Sequence, residues 1–270
     1  MTDSLRPAWS EPFLDGRRDG LQRARPIAGL DREAAFGGSD GTGVTVAIID
    51  SGVDGTHPAV GGRLVASVKV ELGDDRPVVI DDPEAIDVVG HGTACAGIVH
   101  ALAPGAELVS VRVLGPDNRG KGAVFAAGLE WAIERGASVV NLSLSSRSEA
   151  LMAVFHDLAD RAYFENVLLV CAANNVPGPS YPSLFASVVS VAAHDLPDAW
   201  TWYYNPHPPV EFGARGVDVE VAWRDHGWIT ATGNSFAAPH VAGLAALIRA
   251  KRPGATPFEV KAMLAATANG

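Results

Sequence analysis

Three short segments of the chain carry residues whose types fit nucleophilic catalysis. They are DSGVDGTHP at 50–58, GHGTACAG at 90–97 and GNSFAAPHVAG at 233–243. A serine hydroxyl is a weak nucleophile at neutral pH and needs a neighbouring base, which an imidazole can provide. A carboxylate can hold that imidazole in the required tautomer and stabilise its charged form. The segments therefore offer Asp50, His91 and Ser235 as the carboxylate, the base and the nucleophile of an acyl-transfer reaction.

Each of these residues also has a simpler interpretation. Ser235 precedes an apolar run and suits the N-cap of a helix, and His91 could cap a helix in the same way. Asp50 lies in a turn-like DSG sequence. The presence of all three segments in one chain favours the catalytic interpretation over three separate structural ones.

The rest of the chain must supply elements that bring these residues together. Apolar, β-branched runs are typical of parallel strands covered on both faces. They occur at 44–50, 107–114, 137–144, 167–173 and 187–193. Helical patterns lie between these runs and at the end of the chain. The alternation predicts an α/β fold with three layers, a doubly wound and mostly parallel sheet with helices on both faces.

Polar residues follow several of the predicted strands. They are Asp50, Asn141, Asn174 and Asn175. Sheets of this kind bind their ligands at the carboxyl ends of the strands. We therefore expect these residues, together with the starts of the helices at His91 and Ser235, to converge on one edge of the sheet.

The composition narrows the classes of protein to which the chain can belong. Of the 270 residues, 47% are hydrophobic and 19% are charged, which predicts a packed core. The net charge of −10, without a basic stripe, argues against a nucleic-acid partner. The sequence contains neither an apolar run long enough to cross a bilayer nor a hydrophobic signal core at its start, so we expect a cytoplasmic protein without a membrane partner. Cys95 and Cys171 lie in apolar contexts and are expected to be buried thiols, not zinc ligands.

In the order Asp, His, Ser, the three motifs resemble those of the subtilisin-like serine proteases, the subtilase family or peptidase family S8. The resemblance extends through residues 111–144, which are similar to the family's substrate-binding segment. It implies a subtilisin-like catalytic domain over residues 26–270, preceded by an N-terminal arm at 1–25. It also implies a serine endopeptidase that hydrolyses peptide or protein substrates through an acyl-enzyme, with the three residues named above as its catalytic triad.

The resemblance also implies roles for residues around the serine. The family pattern Ala-Ala-Gly-Asn supplies a donor to the oxyanion, and here it reads AANN. Asn175 takes the asparagine position, and Asn174 remains the alternative. A peptide is expected to bind as an added strand between two edge segments, with a pocket for the residue before the cut. The implied substrate-binding residues are Asn118, Arg119, Gly120, Ser143, Leu144, Ser145, Ala172, Ala173 and Asn174. Asn174 in place of glycine predicts a narrowed pocket that disfavours large aromatic residues.

The sequence departs from the family pattern around calcium. Secreted subtilisins carry a tight calcium site on a loop that interrupts the helix after the catalytic histidine. Here the helical pattern continues without that loop, and Ala59 stands where an aspartate is expected. Calcium requires several oxygen ligands, so we expect no tight calcium site of this kind and no other cofactor. For the acidic stretch at 71–87 we expect a solvated loop, with a weakly bound ion as the alternative. Arg119, Lys121 and Arg147 near the groove are expected to favour acidic peptides.

Only about 25 residues precede PIAGLD, with no visible signal peptide or pro-segment. Together with the missing calcium loop, this leads us to expect an intracellular protease with limited or specific substrates, such as a precursor peptide. The doubled asparagine and the altered serine motif, with Asn234 for the usual Thr and Phe236 for Met, leave two alternatives. One is a pseudoprotease that acts as a peptide-binding scaffold, and the other is an esterase that uses the same triad.

Overall fold

A nine-stranded sheet forms the centre of the fold in the computed structural model, which describes residues 7–18, 29–207 and 209–269. The strands are β1 (Thr45–Asp50), β2 (Leu64–Leu72), β3 (Pro77–Asp81), β4 (Glu107–Arg112), β5 (Val139–Leu142), β6 (Leu168–Ala172), β7 (Val189–His194), β8 (Trp202–Tyr204), β9 (Phe212–Arg215), β10 (Val219–Trp223) and β11 (Gly227–Ala231). The sheet order is β3-β2-β4-β1-β5-β6-β7-β9-β8, while β10 and β11 form a separate hairpin. Neighbouring strands are parallel except at the two edges, where β3 and β8 pair antiparallel.

Helices cover both faces of the sheet. They are α1 (Arg32–Phe36), α2 (His91–Leu102), α3 (Gly122–Glu134), α4 (Met152–Phe164), α5 (Asn234–Lys251) and α6 (Pro257–Ala266). Helices α1, α2, α5 and α6 contribute to the core on one face, and α3 and α4 to the core on the other. This arrangement confirms the predicted three-layer α/β fold. None of the helices in the described part of the chain combines the length and the hydrophobicity that a transmembrane span requires.

The central strand β1 shows why the strands appear as unbroken apolar runs. Side chains of a strand alternate between the two faces of the sheet. Val46 and Ile48 face the core beneath α5, and Ala47 and Ile49 face the core beneath α3 and α4. All four side chains are buried, so the strand presents apolar residues to both faces of the sheet.

The acidic stretch at 71–87 does not form the expected solvated loop. Its first half completes β2 and then forms β3, the antiparallel edge strand. Asp82, directly after β3, is buried and lies 3.2 Å from the guanidinium of Arg112. The expectation was wrong because an edge strand with one solvated face mixes charged and apolar residues, unlike the continuous apolar runs of strands that are buried on both faces.

Residues 7–18 pack closely onto the sheet. A short 3-10 helix spans Glu11–Phe13, and the Phe13 ring is fully buried against Ala192 and Val210. The predicted boundary between arm and domain at residue 25 lies outside the described residues, as does the rest of the predicted arm at 1–6 and after Arg18.

Candidate active site

The three predicted catalytic residues lie on elements that meet at the carboxyl ends of the central strands. Asp50 ends β1, His91 begins α2, and Ser235 lies in the first turn of α5. Strand β1 lies between β4 and β5. The strands that follow it in sequence, β2 to β4, lie towards one edge of the sheet, and β5 to β9 lie towards the other edge. Open α/β sheets bind their ligands at such a topological switch point.

Asp50 and His91 form a direct hydrogen-bonded pair. Nδ1 of His91 lies 2.9 Å from each carboxylate oxygen of Asp50, whose side chain is fully buried. A proton held on Nδ1 leaves Nε2 free to accept another one. Burial lowers the pKa of His91, but the charge and hydrogen bond of Asp50 and the charge of Asp87 raise it, so that the net pKa lies above its ordinary value.

Asp87 holds the helix start that carries His91, a role that the sequence analysis missed. Its carboxylate accepts hydrogen bonds from the backbone of Gly90 at 2.7 Å and from the backbone and hydroxyl of Thr93 at 2.8 and 2.6 Å. It also accepts from the Ser51 hydroxyl at 2.8 Å, which links it to the residue after Asp50. A carboxylate at the N-terminus of a helix accepts hydrogen bonds from the free N–H groups of the first turn. Its negative charge also interacts favourably with the helix dipole. The signal was an aspartate four residues before the histidine, hidden in the stretch interpreted as a solvated loop.

The residue that follows β5 fixes the backbone of Ser235. Its carbonyl accepts a hydrogen bond from the Ser143 hydroxyl at 2.8 Å, and Ser143 in turn accepts from the Asn141 side chain at 2.9 Å. The Phe236 ring lies 5.2 Å from the His91 ring. Ser235 is therefore held between β5 and the start of α2.

Ser235 Oγ and the Asn175 amide border the same small space. A Cβ atom built on Gly233 would lie 3.1 Å from Ser235 Oγ and 3.6 Å from Asn175 Nδ2. The Asn175 Oδ1 accepts a hydrogen bond from the Asn234 backbone at 2.9 Å, which fixes the orientation of its amide. Asn174 instead accepts from the Val176 backbone at 2.8 Å, so its side-chain oxygen is engaged within its own loop. This geometry favours Asn175 over Asn174 as a donor beside the serine.

A groove of about 950 Å³ runs past His91 and Ser235. Every predicted substrate-binding residue lines it, and the structure thus brings together Asn118, Arg119, Gly120, Ser143, Leu144, Ser145, Ala172, Ala173 and Asn174. Phe125 and Arg147 line the groove as well. An open groove with exposed backbone segments suits an extended polymer more than a small enclosed ligand.

Asp50, His91 and Cys95 also place three atoms capable of binding a metal within 4.8 Å of one another. Burial and then the charge of Asp50 raise the pKa of the Cys95 thiol well above its ordinary value. A thiol kept protonated is a poor metal ligand, and Asp50 is already bonded to His91. The cluster therefore fits a hydrogen-bonded Asp–His pair better than a metal site. Both cysteines are buried and free, as the sequence predicted.

The helix that would carry the calcium loop is continuous. Helix α2 extends without a break from His91 to Leu102. Ala59, at the position where an aspartate was expected, lies 3.2 Å from a Cβ built on Gly97 of this helix. The absence of a tight calcium site stays a prediction, and it rests on the lack of oxygen ligands at these positions.

Comparisons with known proteins agree with the geometry. A sequence model of the Subtilase family, peptidase S8, matches residues 41–270. Subtilisin BL of Lederbergia lenta is 34% identical over 92% of this chain and 90% of its own length. M-protease of Shouchella clausii is 34% identical over 93% of this chain but only 64% of its own length.

A solved structure points to the same family. The crystal structure of a cold adapted subtilisin-like serine proteinase matches 91% of this chain and 88% of its own, with a TM-score of 0.66 and 29% identity. Taken together with the family model and the relatives, this shows that the chain belongs to the subtilase family and is a serine-type endopeptidase of the subtilisin type.

Proposed function

We propose that Asp50, His91 and Ser235 form the catalytic triad of this protease. His91 accepts the hydroxyl proton of Ser235 through Nε2 as the oxygen attacks the peptide carbonyl, and Asp50 stabilises the resulting imidazolium. His91 then returns the proton to the leaving amine, and water repeats the sequence on the acyl-enzyme. The 2.9 Å contact between His91 and the buried Asp50, beside a groove that His91 and Ser235 line, is the observation that supports this proposal.

Asn175 is the proposed side-chain donor to the oxyanion. Its Nδ2 and Ser235 Oγ border the space in front of Gly233, where the carbonyl oxygen of a bound peptide would develop its charge. Hydrogen-bond donors that are already in position stabilise the transition state strongly, because they need no reorganisation when the negative charge develops on the oxygen. The fixed orientation of the Asn175 amide supports this role.

The proposed substrate is a peptide or protein segment bound in extended form along the groove. We propose limited cleavage of a specific peptide in the cytoplasm, such as a precursor, over general digestion. The two free, buried cysteines are compatible with a reducing compartment. No nucleic acid and no membrane has a part in this proposal.

The charge of the groove favours acidic substrates. Arg119 and Arg147 line it, and among the described lining residues there is no aspartate or glutamate. The chain as a whole carries a net charge of −10, so the groove differs in sign from the average surface. A cationic cleft in an anionic protein attracts acidic peptides and repels basic ones.

Labelling of the nucleophile tests the triad directly. A fluorophosphonate is expected to modify Ser235 of the wild-type protein, as mass spectrometry of the tryptic peptides would reveal, because an activated serine is required for the reaction. The Ser235→Ala variant is the control and should remain unlabelled. A wild-type protein that folds but takes no label would favour the scaffold alternative, and turnover of esters without peptides would favour an esterase.

Replacing Asn174 and Asn175 one at a time shows which of them donates to the oxyanion. Asn175→Ala is expected to lower kcat by about 10²–10³-fold with little change in KM, since the donor acts mainly in the transition state. Asn174→Ala is the matched control and should retain kcat within a few-fold. Steady-state kinetics on one peptide would settle the assignment, and the opposite result would transfer the role to Asn174.

The Asp87→Asn substitution should change the pH dependence. His91 must be neutral to act as a base, so kcat/KM should fall as the pH drops through the pKa of His91, which lies above its ordinary value. Removal of the Asp87 charge destabilises the imidazolium and lowers this pKa, so the midpoint of the acidic limb should move to lower pH. Asp81→Asn, at an exposed site on β3, is the control. An unchanged midpoint in both variants would refute the electrostatic role of Asp87.

A panel of peptides with Glu, Gln or Lys in the four residues before the cut tests the charge preference. We expect Glu peptides to exceed Lys peptides in kcat/KM by about two- to five-fold for each exposed charge pair, and less at high salt. Arg119→Gln and Arg147→Gln should each reduce this ratio, while Arg76→Gln in the exposed β2–β3 turn should not. Equal rates for the Glu and Lys peptides would rule out the preference.

A further inference from the structure

The N-terminal segment, residues 7–18, lies against the loop that carries Asn175. The Ala8 backbone N–H donates to the Asn175 carbonyl at 2.8 Å. The Asn234 side chain donates to the Ala8 carbonyl at 2.9 Å. Ala8 is therefore bonded on one side to the loop of the proposed oxyanion donor and on the other to the residue before Ser235.

Asn234 connects this segment to the ends of two strands. Its side chain is fully buried and donates to the Ala173 carbonyl at 3.1 Å, while it accepts from the Ala193 backbone at 2.9 Å. The Ser10 hydroxyl also donates to it at 3.5 Å. A threonine, the usual residue of the family at this position, has one hydroxyl and cannot make these contacts together. The asparagine therefore allows a contact with the N-terminal segment that a threonine would not combine with the other two.

The segment is anchored to the sheet at a distance from Ser235. Phe13 is fully buried, and a Cβ atom on Gly213 would lie 2.4 Å from its ring. Strand β9 thus accommodates Phe13 only because residue 213 is a glycine. At the end of the segment, the Arg18 guanidinium pairs with Asp195 and donates to the Phe13 carbonyl at 2.7 Å.

We propose that the N-terminal segment is a positioning element of the oxyanion site, with Ala8 and Asn234 as positioning residues. The loop that carries Asn175 is exposed, and the neighbouring residue Val176 is 54% exposed, so that packing against other residues gives the loop little support. The segment supplies this support by holding the Asn175 backbone and the Asn234 side chain together. The consequence for catalysis rests on the donor role of Asn175 proposed above.

Two variants and one control in the full chain test the proposal. Phe13→Ala loosens the anchor far from Ser235, and Ala8→Pro removes the N–H that donates to Asn175 and also fixes φ of residue 8. Glu11→Gln is the control, because Glu11 belongs to the same segment but forms an exposed ion pair with Arg17. All variants should be compared well below their melting temperatures, so that global unfolding does not contribute.

Kinetics should separate positioning from general stability. We expect Phe13→Ala and Ala8→Pro to lower kcat by about ten-fold, a fraction of the full loss of an oxyanion donor, with less than about a two-fold change in KM. In an Asn175→Ala background the same substitutions should have no further effect, since the group that they position is gone. An equal loss in both backgrounds would overturn the proposal.

Amide hydrogen exchange provides a measurement that needs no turnover. The Asn234 and Ala193 amides, which donate to the side chains of Asn175 and Asn234, should exchange faster in both variants but not in Glu11→Gln. Unchanged exchange in both variants would show that the segment does not hold the loop. If the wild-type protein neither takes the fluorophosphonate nor cleaves peptides, the proposed function fails, while the exchange data still decide whether the segment positions the loop.

Discussion

The hydrogen bond between Asp50 and His91 is the interaction on which the rest of the site depends. A fully buried carboxylate is costly unless it is paired and hydrogen-bonded. Asp50 meets this requirement through His91 and through the backbone N–H of Ser51 at 2.7 Å. Any movement of the histidine would leave the carboxylate without its main partner. Stability and the proposed catalytic role thus require the same geometry, with the end of β1 fixed against the start of α2.

Other contacts extend this constraint to the elements around the pair. Asp87 fixes the first turn of α2, and its charge adds to that of Asp50 in favouring the imidazolium. Ser143, at the end of β5, fixes the carbonyl of Ser235. Because β5 pairs directly with β1, the contacts that position His91 and Ser235 come from two neighbouring strands. The parallel sheet therefore positions the residues of the site relative to one another, and the loops add the remaining residues.

The sequence was sufficient to predict the central strands and the fold class, because buried parallel strands are local patterns. The predicted substrate-binding residues line one groove, and their role stays a prediction. The sequence did not reveal the edge strand β3, whose solvated face carries charges. Asp87 was missed because its role depends on a helix start that only the folded chain defines. The packing of Phe13 was missed for a different reason. Its partners near Gly213 are remote in sequence, and no periodic pattern links the two.

The departures from the family pattern are better explained by compensation than by loss of function. Asn234 replaces the usual threonine, and taken alone this change weakened the serine motif. In the fold its amide is buried and hydrogen-bonded to Ala8, Ala173 and Ala193, so the substitution adds contacts next to Ser235. A buried amide without partners would be destabilising, and the hydrogen bonds of Asn234 avoid that cost. Both the donors and the acceptor of the Asn234 amide have partners. Such a network is what a site that keeps its geometry requires.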